Sequence, residues 1–148
     1  LDTPAGPVGF CTVHLRTPRD SLNQVLDRRT LLAPSRSAAL RTEIEMRRME
    51  SEELARWLAG RPGPLVIAGD FNLPVDSAIY RRYWSAYRNA FSQAGSGFGA
   101  TKLTTVNGIR YGLRIDHVLV DPSWRVRTAW VAHGVGSDHL PLVAEMER

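Results

Sequence analysis

The chain contains one cysteine, Cys11, and one lysine, Lys102, in 148 residues. A single thiol excludes an internal disulfide and a thiolate-built metal cluster. In a strand-like run with Phe10 and Val13, Cys11 reads as a small core residue rather than a reactive thiol. No uncharged apolar run approaches the ~18 residues that a membrane span needs. Leu1 to Gly9 also lack the basic start and long apolar stretch of a signal peptide, so no membrane contact is expected from this segment. An initiator methionine is missing too: the opening Leu1-Asp2-Thr3-Pro4 reads as an internal cut in a longer protein.

Hydrophobic residues make up 43% and charged residues 23%, close to the average for folded domains, which excludes a wholly disordered chain. The length suits one domain or part of one. Net charge is +4, from 19 basic against 15 acidic groups, and all the basic residues but Lys102 are arginines. The guanidinium fork grips phosphate in two places and keeps its charge. The balance is therefore compatible with phosphorylated substrates or nucleic acid, and equally with a genomic preference for Arg over Lys.

Val8 to Leu15 is short, β-branched and apolar between Gly6-Pro7 and Pro18, which predicts a strand ending on His14. Pro18 to Pro34 is polar and basic and reads as a surface excursion. Ser37 to Gly60 is predicted as a helix, with Leu40, Ile44, Leu54, Ala55 and Leu58 on one face and Arg47 and Ser51 interrupting it. Leu65 to Ala68 is a continuous apolar run after the breakers Pro62-Gly63-Pro64, as expected of a strand buried on both faces. A second helix is predicted over Ser77 to Phe91, with Tyr80, Tyr83, Trp84 and Tyr87 packing rather than stacking on bases. Ser92 to Gly108 reads as a loop, and strands are predicted at Arg114 to Val120, Val126 to Ala132 and Leu142 to Glu147.

Four stretches carry chemistry. Gly69-Asp70-Phe71-Asn72 ends the buried strand, where an apolar segment abruptly delivers a carboxylate and an amide. In an extended segment Asp70 and Asn72 would share one side, suited to a hard cation and a phosphate oxygen; an Asx turn that merely ends the strand would use the same residues. Ser137-Asp138-His139 offers a carboxylate to a metal and an imidazole to a proton or phosphate, with the two side chains pointing apart. An imidazole base needs a carboxylate to orient its other nitrogen, and Asp116, between Ile115 and Val118 on a strand, is the candidate. His117 would face the opposite way and be structural or exposed, and His14 alone at a strand end carries no specific signal.

In this order, VHL (13 to 15), VIAGDFNLP (66 to 74), RIDHVLV (114 to 120) and GSDHLPLVA (136 to 144) resemble the endonuclease/exonuclease/phosphatase superfamily, the DNase I-like fold. The resemblance runs from about Gly6 to the end of the chain. It implies an α/β fold, a sandwich of β-sheets flanked by helices. It also implies metal-dependent hydrolysis of a phosphodiester or phosphomonoester, with Mg2+ as the usual ion and Mn2+ as an alternative, on a phosphate ester that could be DNA or RNA. Carried onto this sequence, His139 would act in proton transfer or at the phosphate, held by Asp116. Asp138 would be a metal ligand. Asp70 and Asn72 would position the attacking water, a second metal or the phosphate, and His14 would bind the phosphate or assist the leaving group.

Members of the superfamily also carry an Asn motif and a metal-binding Glu upstream of the strand that bears the His, and Leu1 to Pro7 is too short to hold them. Residues 1 to 148 are therefore expected to form an incomplete, C-terminal portion of the domain. Its open sheet would be covered by the missing N-terminal portion or by an oligomeric partner, and the isolated chain would be weak or inactive. The competing expectation is a non-catalytic phosphate- or nucleic-acid-binding module built on the same fold.

Overall fold

Leu65, Val66 and Ile67 are all buried, and Ile67 is fully enclosed, because their strand is covered on both faces. In the computed structural model, which describes residues 1–4, 6–17, 34–61, 63–106 and 109–148, a short ribbon, β1 (Asp2–Thr3) and β2 (Gly6–Pro7), leads into β3 (Gly9–His14). A long helix, α1 (Pro34–Ala59), precedes β4 (Leu65–Asp70). Then come α2 (Ala78–Tyr83), β5 (Arg88–Asn89) and α3 (Ala90–Ala94). The hairpin β6 (Lys102–Val106) and β7 (Ile109–Leu113) is followed by β8 (Asp116–Val120), β9 (Arg125–Val131) and β10 (Leu142–Glu147).

The central sheet has the order β3-β4-β8-β5, with β3 parallel to β4 and β8 antiparallel to it. Alternation along these strands sends Leu65, Ile67, Val13 and Leu119 to one side, against Leu58 of α1, Tyr80 of α2 and Trp84 just beyond it. Val66 and Val120 go to the other side, against Ala90 and Phe91 of α3 and Val126 and Ala129 of β9. The second sheet is the antiparallel pair β9-β10. Its register slips between Glu145 and Met146, a bulge that returns Val126 and Ala129 to the same inner face despite their odd spacing. Two sheets flanked by helices is the architecture expected from the sequence.

Several local expectations need correction. The segment 77–91 is not one helix: α2 stops at Tyr83, and Arg88 and Asn89 pair with Val120 and Leu119 of β8. Asn89 then caps α3, its side chain accepting from the Ser92 amide, so sheet pairing and a new cap override the helical pattern. Within the stretch read as a loop, Lys102–Val106 is a strand paired with Ile109–Leu113. On α1 the inward stripe includes the supposed interruptions: Ser51 is fully buried, while Ile44 is exposed. The surface excursion read over Pro18 to Pro34 lies almost entirely outside the described residues. Tyr80 and Trp84 are core residues, with Tyr83, Tyr87 and Cys11 packed against them. None of the helices described is long and apolar enough to cross a membrane.

Candidate active site

Backbone register assembles the site. Parallel pairing sets His14 beside Asp70, and antiparallel pairing sets Asp116 beside Asp70. Asp70 has the same parity as Val66 on β4, so all three project from the sheet face that meets β9-β10. The approach of β3 to β4 depends on Gly69, whose φ is +145° and whose hypothetical Cβ would lie 2.0 Å from the Val13 carbonyl oxygen. Only glycine fits there.

The loop from β9 to β10 brings in His139. Its Nδ1 lies 2.8 Å from Asp116 Oδ2; a carboxylate can only accept, so Nδ1 carries the proton and Nε2 presents a lone pair. Nε2 is 3.9 Å from Asp70 Oδ2, and His14 Nε2 is also 3.9 Å from that oxygen. The other Asp70 oxygen, Oδ1, accepts the Asn72 amide at 2.8 Å, which pins the carboxylate with Oδ2 facing the imidazoles. Burial, and secondarily the charge of Asp116, raise the Asp70 pKa above the usual carboxylate value, with the Asn72 amide opposing the shift. His14 is an exposed side chain at the rim, whereas His139 and Asp116 are half-buried.

Asn72 does not share an extended face with Asp70. Its φ is +49°, the left-handed region that Asn tolerates, so the chain turns as it leaves β4. Its side-chain amide donates to the Leu15 carbonyl at 2.8 Å, and the Arg47 guanidinium donates to the Asn72 backbone carbonyl. The residue fixes the loop that carries Asp70. Asp138 stands apart as well. Its exposed carboxylate pairs with the Lys102 ammonium, which holds its pKa below the usual value.

The sequence pattern passed over His117 as a site element, yet it supports the site from behind. It is fully buried, with Nε2 donating to the Leu73 carbonyl at 2.8 Å and Nδ1 accepting from the Asn89 amide at 3.2 Å. Phe71 and Tyr80 meet its ring edge-on. Burial depresses its pKa to about 4, so it stays neutral and anchors the end of the Gly69–Leu73 turn. Alternation opposite Asp116 was the only sequence signal for this.

Among the described residues, Asp70, Asp116 and His139 form a group whose ligand atoms lie within 4.8 Å of one another. Two carboxylates facing each other across a ladder suit a hard divalent cation, which would relieve their mutual repulsion, so the donor set fits such an ion as part of a coordination shell. Beside them a cavity of about 340 Å³, lined by Gly69, Asp116, Ser137, His139 and Leu142 among others, opens between the sheets. The arrangement offers an oriented imidazole lone pair, a carboxylate pair suited to a cation and a rim imidazole around one small space.

Comparison with known proteins places the chain in a family. A sequence profile described as the Endonuclease/Exonuclease/phosphatase family matches residues 3–139. No curated protein matches the chain. Among solved structures, a humanized TDP2 of D. rerio superposes with a TM-score of 0.63 at 14% identity, over 95% of this chain and 55% of that one. A 3′ phosphatase, NExo, from Neisseria, bound to a product DNA hairpin, gives 0.55 at 23% identity over 80% and 56%. An endonuclease/exonuclease/phosphatase from Bacteroides vulgatus gives 0.53 at 24% identity over 70% and 44%. At these identities the likeness is one of fold, and the chain spans about half the length of the structures it matches.

Proposed function

The chain belongs to the Endonuclease/Exonuclease/phosphatase family, and from that premise we propose that residues 1–148 are the C-terminal portion of the catalytic domain of a divalent-cation-dependent phosphoesterase. One observation carries the reading: three separate segments bring His139 to 2.8 Å from Asp116 and 3.9 Å from Asp70. A structural ion pair would need only two of them.

Asp116 holds the His139 Nδ1 proton and so directs Nε2 at the space before Asp70. There Nε2 can take a proton from water or, once protonated, hydrogen-bond a phosphoryl oxygen. Asp70, pinned by the Asn72 amide, orients the attacking water, and Asn72 acts through that turn. His14 at the rim meets the phosphate or the leaving group. Asp70 and Asp116 are the residues proposed to hold Mg2+, with Mn2+ as the alternative, and Asp138 would join them on leaving Lys102. Such an ion supplies charge neutralisation at phosphoryl oxygens. The substrate class is a phosphate ester, with DNA or RNA favoured by the excess of arginine and by the DNA products held by fold neighbours from Neisseria and D. rerio.

The rest of the domain is proposed to lie in sequence outside these residues. The inner face of β3 supports this: Phe10 on it is 51% exposed although β9-β10 covers the other half of the same sheet face. A covering segment, or a second chain, would bury Phe10 and supply the further oxygen ligands that Mg2+ requires. The isolated chain is accordingly expected to turn over weakly.

The test is hydrolysis of p-nitrophenyl phosphate esters and of a 3′-phosphorylated oligonucleotide by the chain extended to the length of its structural relatives. Turnover that needs Mg2+ and stops in chelator is expected. Phosphate binding without turnover would replace the enzyme by a binding module, and neither binding nor turnover would overturn both.

A further inference from the structure

The His139–Asp116 hydrogen bond joins two segments that no ladder pairs among the described residues. Both segments instead close on Thr101, which is fully buried. Its Oγ1 accepts the amides of Ile115 at 3.3 Å and Asp116 at 3.2 Å, and donates to the Leu113 carbonyl at 3.4 Å. On its other side the Thr101 carbonyl accepts the Leu140 amide at 2.6 Å, and the next residue, Lys102, forms an antiparallel bridge with His139.

We propose that Thr101 is a positioning residue for the reacting pair, its hydroxyl fixing the backbone of Asp116 while its main chain fixes that of His139. The inference rests on the reading of His139 and Asp116 given under Proposed function. The chain between β7 and β8 crosses from the hairpin to the central sheet at Arg114 and Ile115. The Ile115 carbonyl is taken by the Phe71 amide at 2.9 Å, and the amides of Ile115 and Asp116 turn to Thr101. A hydroxyl can accept both and still donate. A methyl in its place would leave the buried Ile115 amide and the part-buried Asp116 amide without this acceptor, and such groups are costly. The branched β-carbon also restricts χ1, which holds the hydroxyl in one direction. Catalytic pairs tolerate little displacement: a shift of about 1 Å can lower a rate by on the order of a hundredfold.

The experiment compares Thr101→Val, which keeps the shape and removes the hydroxyl, with Thr101→Ser, which keeps the hydroxyl, in the 148-residue chain. The readouts are the NMR signal of the hydrogen-bonded His139 Nδ1 proton and hydrogen exchange at the Asp116 amide, with the Leu119 amide as internal reference. Thr101→Val is expected to lose the imidazole signal and to exchange about tenfold faster at Asp116, with Leu119 unchanged, while Thr101→Ser keeps both. Retention of signal and protection in Thr101→Val, or loss of both in Thr101→Ser, would overturn the proposal, and the serine arm decides the matter should the valine variant not fold. In the extended protein Thr101→Val should lower kcat with KM unchanged and add nothing to Asp116→Asn; an equal further loss in that background would overturn it. The NMR and exchange readouts need no turnover, so an extended chain without activity would overturn the enzyme reading while leaving the role of Thr101 to be decided by them.

Discussion

Asp70 and Asp116 stand opposite each other across the β4–β8 ladder, two carboxylates held in register by backbone pairing. Burial of Asp70, with the Asp116 charge added to it, raises the Asp70 pKa. A carboxylate whose pKa is raised on folding contributes stability at low pH that is lost as pH rises through the folded value.

Asp70→Asn is therefore expected to raise the melting temperature of the chain at neutral pH in chelator. The gain should vanish in acid, below the ordinary carboxylate value, where both states carry the proton. Thermal melts of the two proteins across pH check this; a variant less stable than the parent at pH 7 would mean that the Asn72 amide bond outweighs burial.

Gly69→Ala tests how the site is assembled. The added methyl meets the Val13 carbonyl at 2.0 Å and φ is +145°, so either β3 separates from β4 or the turn moves. The expected cost exceeds about 3 kcal/mol, read as urea or thermal unfolding followed by circular dichroism. A near-neutral substitution would show that the close approach of the strands does not govern the position of Asp70.

His117 makes the fold sensitive to acid. Above its ordinary value of 6.5 the ring is neutral whether folded or unfolded; as pH falls from there toward about 4, only the unfolded chain takes the proton. Stability should decline through that window by up to roughly 3 kcal/mol, and this group adds no further loss below it. His117→Gln has no proton to gain and should flatten that part of the stability curve. Identical curves for the two proteins would remove His117 as the cause.

The motifs made the meeting of Asp70, Asp116 and His139 legible because Asp70 and Asp116 lie at the ends of strands whose apolar pattern is itself readable, and His139 stands just before another. The apolar run at 65–68 and the alternation at 142–147 likewise marked β4 and β10. Other features depended on partners distant in the chain. Arg88 and Asn89 form a strand only because β8 offers an edge; the turn at Asn72 carries the local Asp70 carboxylate bond of the Asx turn that the sequence offered, with Leu15 and Arg47 binding it from a distance. The β6–β7 hairpin did have a local signal, Asn107-Gly108 between two β-branched and aromatic runs, masked by the Gly and Ser content before it. Asp138 pairs with Lys102, a lysine 36 residues away that nothing in the motif announces.

The central claim, that the Asp116-held imidazole of His139 does the proton work of phosphate ester hydrolysis, is tested most directly by single-turnover hydrolysis with Mg2+ in the extended chain. His139→Ala, Asp116→Asn and the double variant are measured beside the parent. The account predicts a fall of about 10²- to 10⁴-fold for His139→Ala, a smaller fall for Asp116→Asn, and no further loss in the double variant. A His139→Ala protein that hydrolyses at the parental rate would contradict it.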